Sequence, residues 1–179
     1  FVGHSLGGIV GTVFSAVNNN PTVQNFTPAL TTIQAVALEN TGGNIIRLLE
    51  NSPTFGSGIL ASLNAASSGV LVQGTSSFET FMNIAQAAIE SGDSINFASS
   101  LASSGHSTPI LATEIYGDGI DRATQDNTIP LAVDEVDDVT NGLTDYFAPA
   151  GSLTQNATLA SSEPLFAEMG LSSLTTSVA

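Results

Sequence analysis

The chain lacks cysteine and tryptophan, and it has very few cationic side chains. Its 179 residues contain two Lys or Arg against 16 Asp or Glu, a formal net charge of −14. Phosphate backbones and anionic lipid headgroups are bound by cationic side chains, so this balance argues against nucleic acid and against electrostatic docking on an anionic membrane. Without cysteine, the sequence supplies no disulfide and no thiolate metal ligand.

Long apolar runs are missing as well. No stretch reaches the roughly 18 residues that a membrane-spanning helix needs, so we expect no transmembrane segment. Hydrophobic residues make up 42% of the chain and the mean hydropathy is +0.26, which is typical of a folded domain. A surface poor in lysine and rich in Ser, Thr, Asn and Asp favours an extracellular or cell-surface location, or a salty medium.

A Gly-x-Ser-x-Gly pattern stands at the start of the chain. It consists of Gly3, His4, Ser5, Leu6 and Gly7. The pattern is typical of the nucleophile elbow of α/β-hydrolases, where a serine occupies a tight turn between a strand and a helix. Glycines suit this turn because the serine backbone is strained and the strand and helix run close together. We therefore predict Ser5 as a nucleophile and the backbone N–H of Leu6 as an oxyanion-hole donor.

The residues around the pattern support this interpretation. Phe1 and Val2 predict the last step of a buried strand, and residues 9–17 place apolar side chains at helical spacing before an Asn-Asn-Asn-Pro stop. An elbow normally follows several strands, so we expect the chain to be the C-terminal part of a larger domain. The competing interpretation is a glycine-rich buried helix preceded by a serine without a catalytic role.

Two further segments predict parallel strands. Residues 31–38 and 108–116 are rich in β-branched and apolar side chains, and each run ends at a turn. A short helix is predicted later in the chain, at about 164–170, where Pro164 suits its first position and Gly170 its end.

The segment at about 53–105 contains three helix-like pieces and no strand. The second piece has the spacing of a capping box, with Ser76 as N-cap and Glu79 three residues later. A helical insertion between two strands is where many hydrolases carry a cap or lid. The predicted fold class is therefore α/β: a partial α/β-hydrolase fold over residues 1–179, truncated at both ends, with parallel strands, flanking helices and a helical cap.

A carboxylate that orients the catalytic base should follow a strand at the carboxyl edge of the sheet. Asp126 is favoured because it opens an Asp-x-x-Ile-Pro run, a pattern that commonly surrounds the acid in these enzymes. Asp118, directly after strand 108–116, is the alternative. Asp121 and Glu39 are weaker candidates. Asp118 and Asp121 can instead form Asx turns with the neighbouring glycines.

A serine hydroxyl also needs an imidazole to take its proton. His4 lies inside the elbow, where neighbouring side chains point apart. His106 precedes strand 108–116, on the edge of the sheet opposite the active face. No histidine follows Asp126, so the order Ser, Asp, His is incomplete, and we expect the catalytic histidine outside this chain.

An acidic stretch covers residues 131–162. It contains Asp134, Glu135, Asp137 and Asp138, whose oxygen atoms are ligands that calcium prefers. Their spacing fits no known calcium loop, so a solvated acidic surface is the favoured interpretation. We expect no metal and no organic cofactor.

Further motifs follow the elbow in a fixed order. They are GHSLGGIVGT at 3–12, SPTFG at 52–56, DSINFA at 93–98, EIYGDG at 114–119 with DNTIP at 126–130, and SEPLFAEMGL at 162–171. In this order they resemble the Pla/cef-type extracellular lipases of Gram-negative bacteria. The resemblance covers nearly the whole chain except the acidic stretch.

The resemblance implies a secreted or surface-anchored lipase or phospholipase that hydrolyses a lipid or other acyl ester through an acyl-enzyme. It also implies a second oxyanion-hole element upstream and a histidine loop shortly after the helix at 164–170. Residues 171–179 contain no such histidine loop, so we expect the polypeptide alone to be inactive. Acyltransferase, thioesterase or peptidase chemistry is the enzymatic alternative. An inactive hydrolase-like fragment or a non-catalytic interaction domain is the other.

Overall fold

A computed structural model describes residues 1–103, 108–115, 126–130 and 160–172. It contains three short strands: β1 (Val2–His4), β2 (Val36–Glu39) and β3 (Ile110–Thr113). They form a parallel sheet in the order β1–β2–β3. The register places His4, Glu39 and Thr113 side by side at the carboxyl ends of the strands.

Seven α-helices connect or flank these strands within the described residues. A 3₁₀ turn at Glu90–Gly92 extends the fifth helix. The mixed α/β architecture with parallel strands is confirmed, whereas the hydrolase fold stays a prediction. The helices are α1 (Leu6–Asn18), α2 (Pro21–Phe26), α3 (Ile45–Asn51), α4 (Gly56–Ala66), α5 (Ser76–Ile89), α6 (Ile95–Ser103) and α7 (Ser162–Glu168).

The main core lies between the sheet and a helical layer made of α1, α6 and α7. Val36 and Leu38 of β2 point into it and are almost fully buried. Each of the three helices supplies apolar side chains to the same cluster, so burial on this scale is the main stabilising term of the fold. The buried members are Ala16, Val36, Leu38, Ala98, Leu101, Leu165 and Met169.

Strand β2 is shorter than the predicted segment 31–38. The backbone of the residues before it is bonded by side chains at the end of α1 instead of by a neighbouring strand. The Asn19 amide nitrogen donates to the carbonyl of Ile33 at 2.9 Å, and its Oδ1 accepts from the Ile33 N–H at 2.9 Å. Asn18 binds the carbonyl of Thr31 in the same way.

Strand β1 differs from its prediction as the end of a buried strand. In the described part of the chain it is an edge strand, and Val2 is 72% exposed. Three apolar side chains of α1, those of Val10, Phe14 and Val17, are exposed as well. Sequence hydrophobicity alone does not distinguish an apolar edge from an apolar core.

The predicted capping box does not form, and the N-cap lies one residue earlier than expected. Thr75, not Ser76, is the N-cap of α5, and its hydroxyl accepts from the Phe78 N–H at 3.3 Å. Glu79 binds Arg47 of α3 instead of the cap amide. An ion pair across two helices has replaced the local bond that the sequence spacing suggested.

The segment predicted as a cap divides into two parts in the structure. Helix α6 belongs to the main core, where Ala98 and Leu101 are fully buried. Helix α4, by contrast, buries only Gly56. Whether α4 and α5 cover a binding site stays a prediction. Among the described residues, no helix combines the length and apolar character needed to cross a bilayer.

Candidate functional site

Ser5 lies in the turn between β1 and α1 with a strained backbone. Its φ of 51° and ψ of −122° fall outside the regions that non-glycine residues normally adopt. Such a conformation costs about 1–3 kcal/mol and persists only where the surroundings enforce it. The Ser5 N–H donates to the carbonyl of Glu39 at 2.8 Å, and the Ser5 carbonyl accepts from Gly8 at 2.8 Å and Ile9 at 3.1 Å. The sheet and the first turn of the helix thus hold the serine from both sides.

Close packing explains two of the glycines around Ser5. A Cβ atom on Gly3 would lie 2.5 Å from the carbonyl oxygen of Gly7, and one on Gly8 would lie 2.6 Å from Cβ of Thr41. Neither distance is sterically possible without movement of the backbone or of a buried residue. Gly7 differs, since a Cβ atom there would meet no atom within 4 Å. Helix α1 therefore begins in close contact with β1 and with Thr41, which follows β2.

Ser5 is partly exposed, and the first residues of α1 are open to solvent. Ser5 is half-buried, Leu6 is 69% exposed, and the Ser5 hydroxyl does not cap the helix. The first amides of a helix have no intrahelical acceptor, and those of Leu6 and Gly7 find none among the described residues. A helix N-terminus with free N–H groups stabilises negative charge placed beside it.

Asp126 lies just beyond the carboxyl end of β3. Its N–H donates to the carbonyl of Ile115 at 3.1 Å. Its Oδ1 accepts from the N–H groups of Thr128 at 2.6 Å and Ile129 at 2.8 Å, which closes a tight turn. Oδ2 has no hydrogen-bond partner in the described part of the chain. One carboxylate oxygen therefore fixes the turn and leaves the other for a further donor.

Two contacts connect the Asp126 turn to the rest of the site. Ile129 belongs to a buried cluster that also contains Leu48, Ala160 and Ile9, the last of which lies one helical turn after Ser5. On the other side, the Thr54 hydroxyl donates to the carbonyl of Asn127. The turn that carries Asp126 is therefore held between the helix that begins at Ser5 and the segment that leads into α4.

The other predicted residues fall into two groups. Glu39 ends β2 with an exposed side chain, and His4 is exposed beside it in the register, with no hydrogen bond to Ser5. Asp118, Asp121, His106 and the acidic residues Asp134, Glu135, Asp137 and Asp138 lie outside the described residues. Ser5, Leu6 and Asp126 all lie at the carboxyl ends of the strands. The alternative Asp118 stays a prediction.

Within the residues that the structure describes, no group of three or more His, Cys, Asp or Glu side chains could hold a metal ion.

Sequence reasoning missed a pair of carboxylates near the carboxyl end of β3. Glu114 directly follows β3, and together with Glu163 of α7 it lines a cavity of about 770 Å³. Burial, and secondly the charge of Glu163, raise the pKa of Glu114 to about 7. Its Oε2 atom is buried and has no partner among the described residues. No pattern signals this pair, because Glu114 falls at the end of a predicted strand and Glu163 is distant in sequence.

Asp93 is a second residue whose role was not predicted. Its side chain is fully buried and accepts from the N–H groups of Asn44 and Ile45 at the start of α3, at 3.0 and 2.8 Å. It also accepts from the Ile95 N–H and from the side-chain amide of Gln86. Asp93 is a structural anchor that joins the starts of α3 and α6 to α5.

No family model matches this chain, and no curated protein or solved structure shows significant similarity to it. The resemblance to extracellular lipases therefore depends on the sequence motifs, and the functional argument depends on the geometry of Ser5 and its neighbours.

Proposed function

We propose that this chain is part of a serine ester hydrolase in which Ser5 is the nucleophile. The observation that carries the proposal is the backbone of Ser5, which adopts a positive φ in a strand-to-helix turn with a partly exposed side chain. Strained non-glycine residues are concentrated at functional sites, where the surrounding structure enforces the conformation and the strain serves the mechanism. The flanking close contacts at Gly3 and Gly8 point the same way.

In the proposed reaction, Ser5 Oγ attacks the carbonyl carbon of the ester while a base takes the hydroxyl proton. The carbonyl π electrons move to oxygen, and the resulting oxyanion accepts from the N–H of Leu6 at the positive end of α1. Collapse of this intermediate expels the alcohol, which takes the proton from the base, and leaves an acyl group on Ser5. Water then attacks the acyl-enzyme by the same route and releases the acid.

Asp126 is the proposed carboxylate partner of the base. Its Oδ2 is available, and its turn is anchored to the helix of Ser5 through Ile129 and Ile9. The base itself is proposed to be a histidine supplied from outside residues 1–179. A carboxylate hydrogen-bonded to the imidazole fixes its tautomer and stabilises the imidazolium that forms.

The proposed substrate is a lipid or other long-chain acyl ester, as in a lipase or phospholipase, and the proposed location is extracellular or at the cell surface. The predominance of acidic over basic side chains supports an uncharged or zwitterionic substrate over an anionic one. The sequence resemblance supports the lipase assignment. Acyltransferase and thioesterase chemistry would use the same nucleophile with a different acceptor or leaving group.

Labelling with an alkyl fluorophosphonate tests the nucleophile in the protein as the cell produces it. We expect one covalent adduct on Ser5, no adduct in Ser5→Ala, and hydrolysis of p-nitrophenyl esters that is lost in the same variant. Labelling of a different serine would overturn the assignment. A folded protein that binds acyl esters without labelling would identify a non-catalytic module instead. Labelling with transfer of the acyl group to an acceptor other than water would identify an acyltransferase.

A further inference from the structure

We propose that the groove between α3 and α4 binds the acyl chain of the substrate. The groove has a volume of about 630 Å³, which lies within the range of small-molecule sites. This inference rests on the proposed function, because it names the ligand class and the subsite of the same serine site. The residues that line the groove are Leu49, Thr54, Phe55, Gly58, Ile59, Ser62 and Leu63.

Helix α4 presents an apolar face that the described residues do not cover. Phe55, Ile59 and Leu63 recur every four residues and therefore lie on one side of the helix. Leu49 of α3 forms the opposite wall. Phe55 is 47% exposed, and Gly56 is the one residue of α4 that is buried. A ligand that extends along this face would bury the apolar side chains without displacing a packed residue.

The lining of the groove is uncharged, which favours an uncharged ligand. None of the residues that line the groove is ionisable, although the chain carries a net charge of −14. A cationic ligand would find no ion-pair partner in this groove, and an anionic ligand would meet the negative field of the protein. The same field disfavours a second copy of this chain as the occupant. An uncharged hydrocarbon chain fits the lining without an electrostatic cost.

The groove lies beside the turn that carries Asp126. Thr54 lines the groove, and its hydroxyl binds the carbonyl of Asn127 in the Asp126 turn. Leu49 lines it from α3, and the preceding residue, Leu48, belongs to the same buried cluster as Ile9, one turn after Ser5. The Thr54 end of the groove therefore adjoins the turn that carries the proposed acid.

Gly58 offers a variant that blocks the groove without disturbing the fold. A Cβ atom at Gly58 would meet nothing within 4 Å, and leucine is a better helix former than glycine. Gly58→Leu therefore adds a side chain to a groove-lining position. Ala61→Leu is the matched control, because Ala61 is exposed on the same helix and does not line the groove.

The experiment measures binding in a Ser5→Ala background, so that hydrolysis plays no part. The uncharged fluorophore N-phenyl-1-naphthylamine is bound first and then displaced with 1-hexanol, 1-octanol, 1-decanol or 1-dodecanol. Each fully buried methylene is expected to tighten binding by up to about fourfold, so affinity rises along the series. We expect Gly58→Leu to weaken 1-dodecanol binding at least tenfold and Ala61→Leu to change it less than twofold, with unchanged circular dichroism spectra and no loss of Tm in either variant.

The outcomes separate the groove from the proposed function. Equal displacement curves for Gly58→Leu, Ala61→Leu and the parent would overturn the groove assignment, even if Ser5 is labelled by a short fluorophosphonate. A change of oligomeric state caused by Gly58→Leu alone would overturn it as well and identify an interface. Chain-length-dependent binding that Gly58→Leu abolishes would support the groove, even if Ser5 fails to label and the proposed hydrolase function is wrong.

Discussion

Ile129, three residues after Asp126, belongs to the same buried cluster as Ile9, four residues after Ser5. The cluster joins the helix that begins at the candidate nucleophile to the turn of the candidate acid. Because both residues are less than 10% exposed, the cluster fixes the two turns relative to each other through apolar packing. The geometry of the candidate site therefore depends on residues that take no part in its chemistry.

Ile129→Ala tests this dependence. Removal of a buried isoleucine side chain down to Cβ is expected to destabilise the fold by about 2–4 kcal/mol, measured by urea denaturation. The exposed Leu111 is the control, and Leu111→Ala should cost less than about 1 kcal/mol. The prediction is wrong if both variants lose the same free energy of unfolding. If Ser5 is the nucleophile, Ile129→Ala should also slow its labelling under conditions where the protein remains folded.

The glycines of the elbow give a matched pair of substitutions. Gly8→Ala would place a methyl group against buried Thr41, and overpacking of this kind is expected to cost about 1–3 kcal/mol. Gly7→Ala enters open space in the first turn of α1, so it should be neutral or slightly stabilising. Thermal unfolding of the two variants checks the difference, and a Gly7→Ala variant less stable than Gly8→Ala would contradict it.

Glu114 predicts a pH dependence of stability. Its pKa of about 7 in the folded protein lies above the ordinary value of 4.5, so between these values the folded state holds a proton that the unfolded state has lost. This contribution to stability is fully present below about pH 4.5 and is lost as the pH rises through 7. Since the side chain is only half-buried, solvent screening reduces the effect to about 1–2 kcal/mol.

Glu114→Gln removes this titration. The variant should be more stable than the parent above pH 7, and the difference should shrink as the pH falls to 4.5. Free energies of unfolding measured at pH 4.5, 6 and 8 test the trend. Glu168→Gln is the control, because Glu168 is exposed on α7. A constant difference between Glu114→Gln and the parent across this range would show that Glu114 does not titrate as described.

Local patterns predicted the parts of the fold that neighbouring residues determine. The helix after Ser5, its end at the asparagine cluster and the stop at Gly170, whose φ is +68°, all follow from short-range chemistry. The length of β2 did not, because the side chain of Asn19 binds the backbone of Ile33 in place of a strand. The predicted capping box was wrong for a similar reason. Glu79, its second member, binds Arg47, which lies 32 residues away in the sequence, and not the cap amide.

The candidate site, like the fold, was predicted from the sequence only where neighbouring residues determine it. Ser5 and its glycines form one continuous segment, so sequence spacing was sufficient to predict their turn. The exposure of Val2 and the proximity of Glu114 to Glu163 depend on which elements, distant in sequence, pack together. The residue types alone do not predict this packing. Asp126 was predicted from a short pattern, but the buried cluster of Ile129 and Ile9 that anchors its turn became visible only in the structure.

The strain at Ser5 leads to a final prediction, which separates function from stability. Ser5→Gly keeps the turn and removes the strain, because glycine adopts a positive φ without a steric cost, whereas Ser5→Ala removes the hydroxyl but keeps the strain. Relief of about 1–3 kcal/mol, less the greater freedom of glycine in the unfolded chain, should make Ser5→Gly more stable than Ser5→Ala by about 1 kcal/mol. Equal Tm values for the two variants would show that the turn is unstrained. A higher Tm for Ser5→Gly than for the parent would mean that the chain retains a serine here at a cost in stability, as expected where the hydroxyl itself has a role.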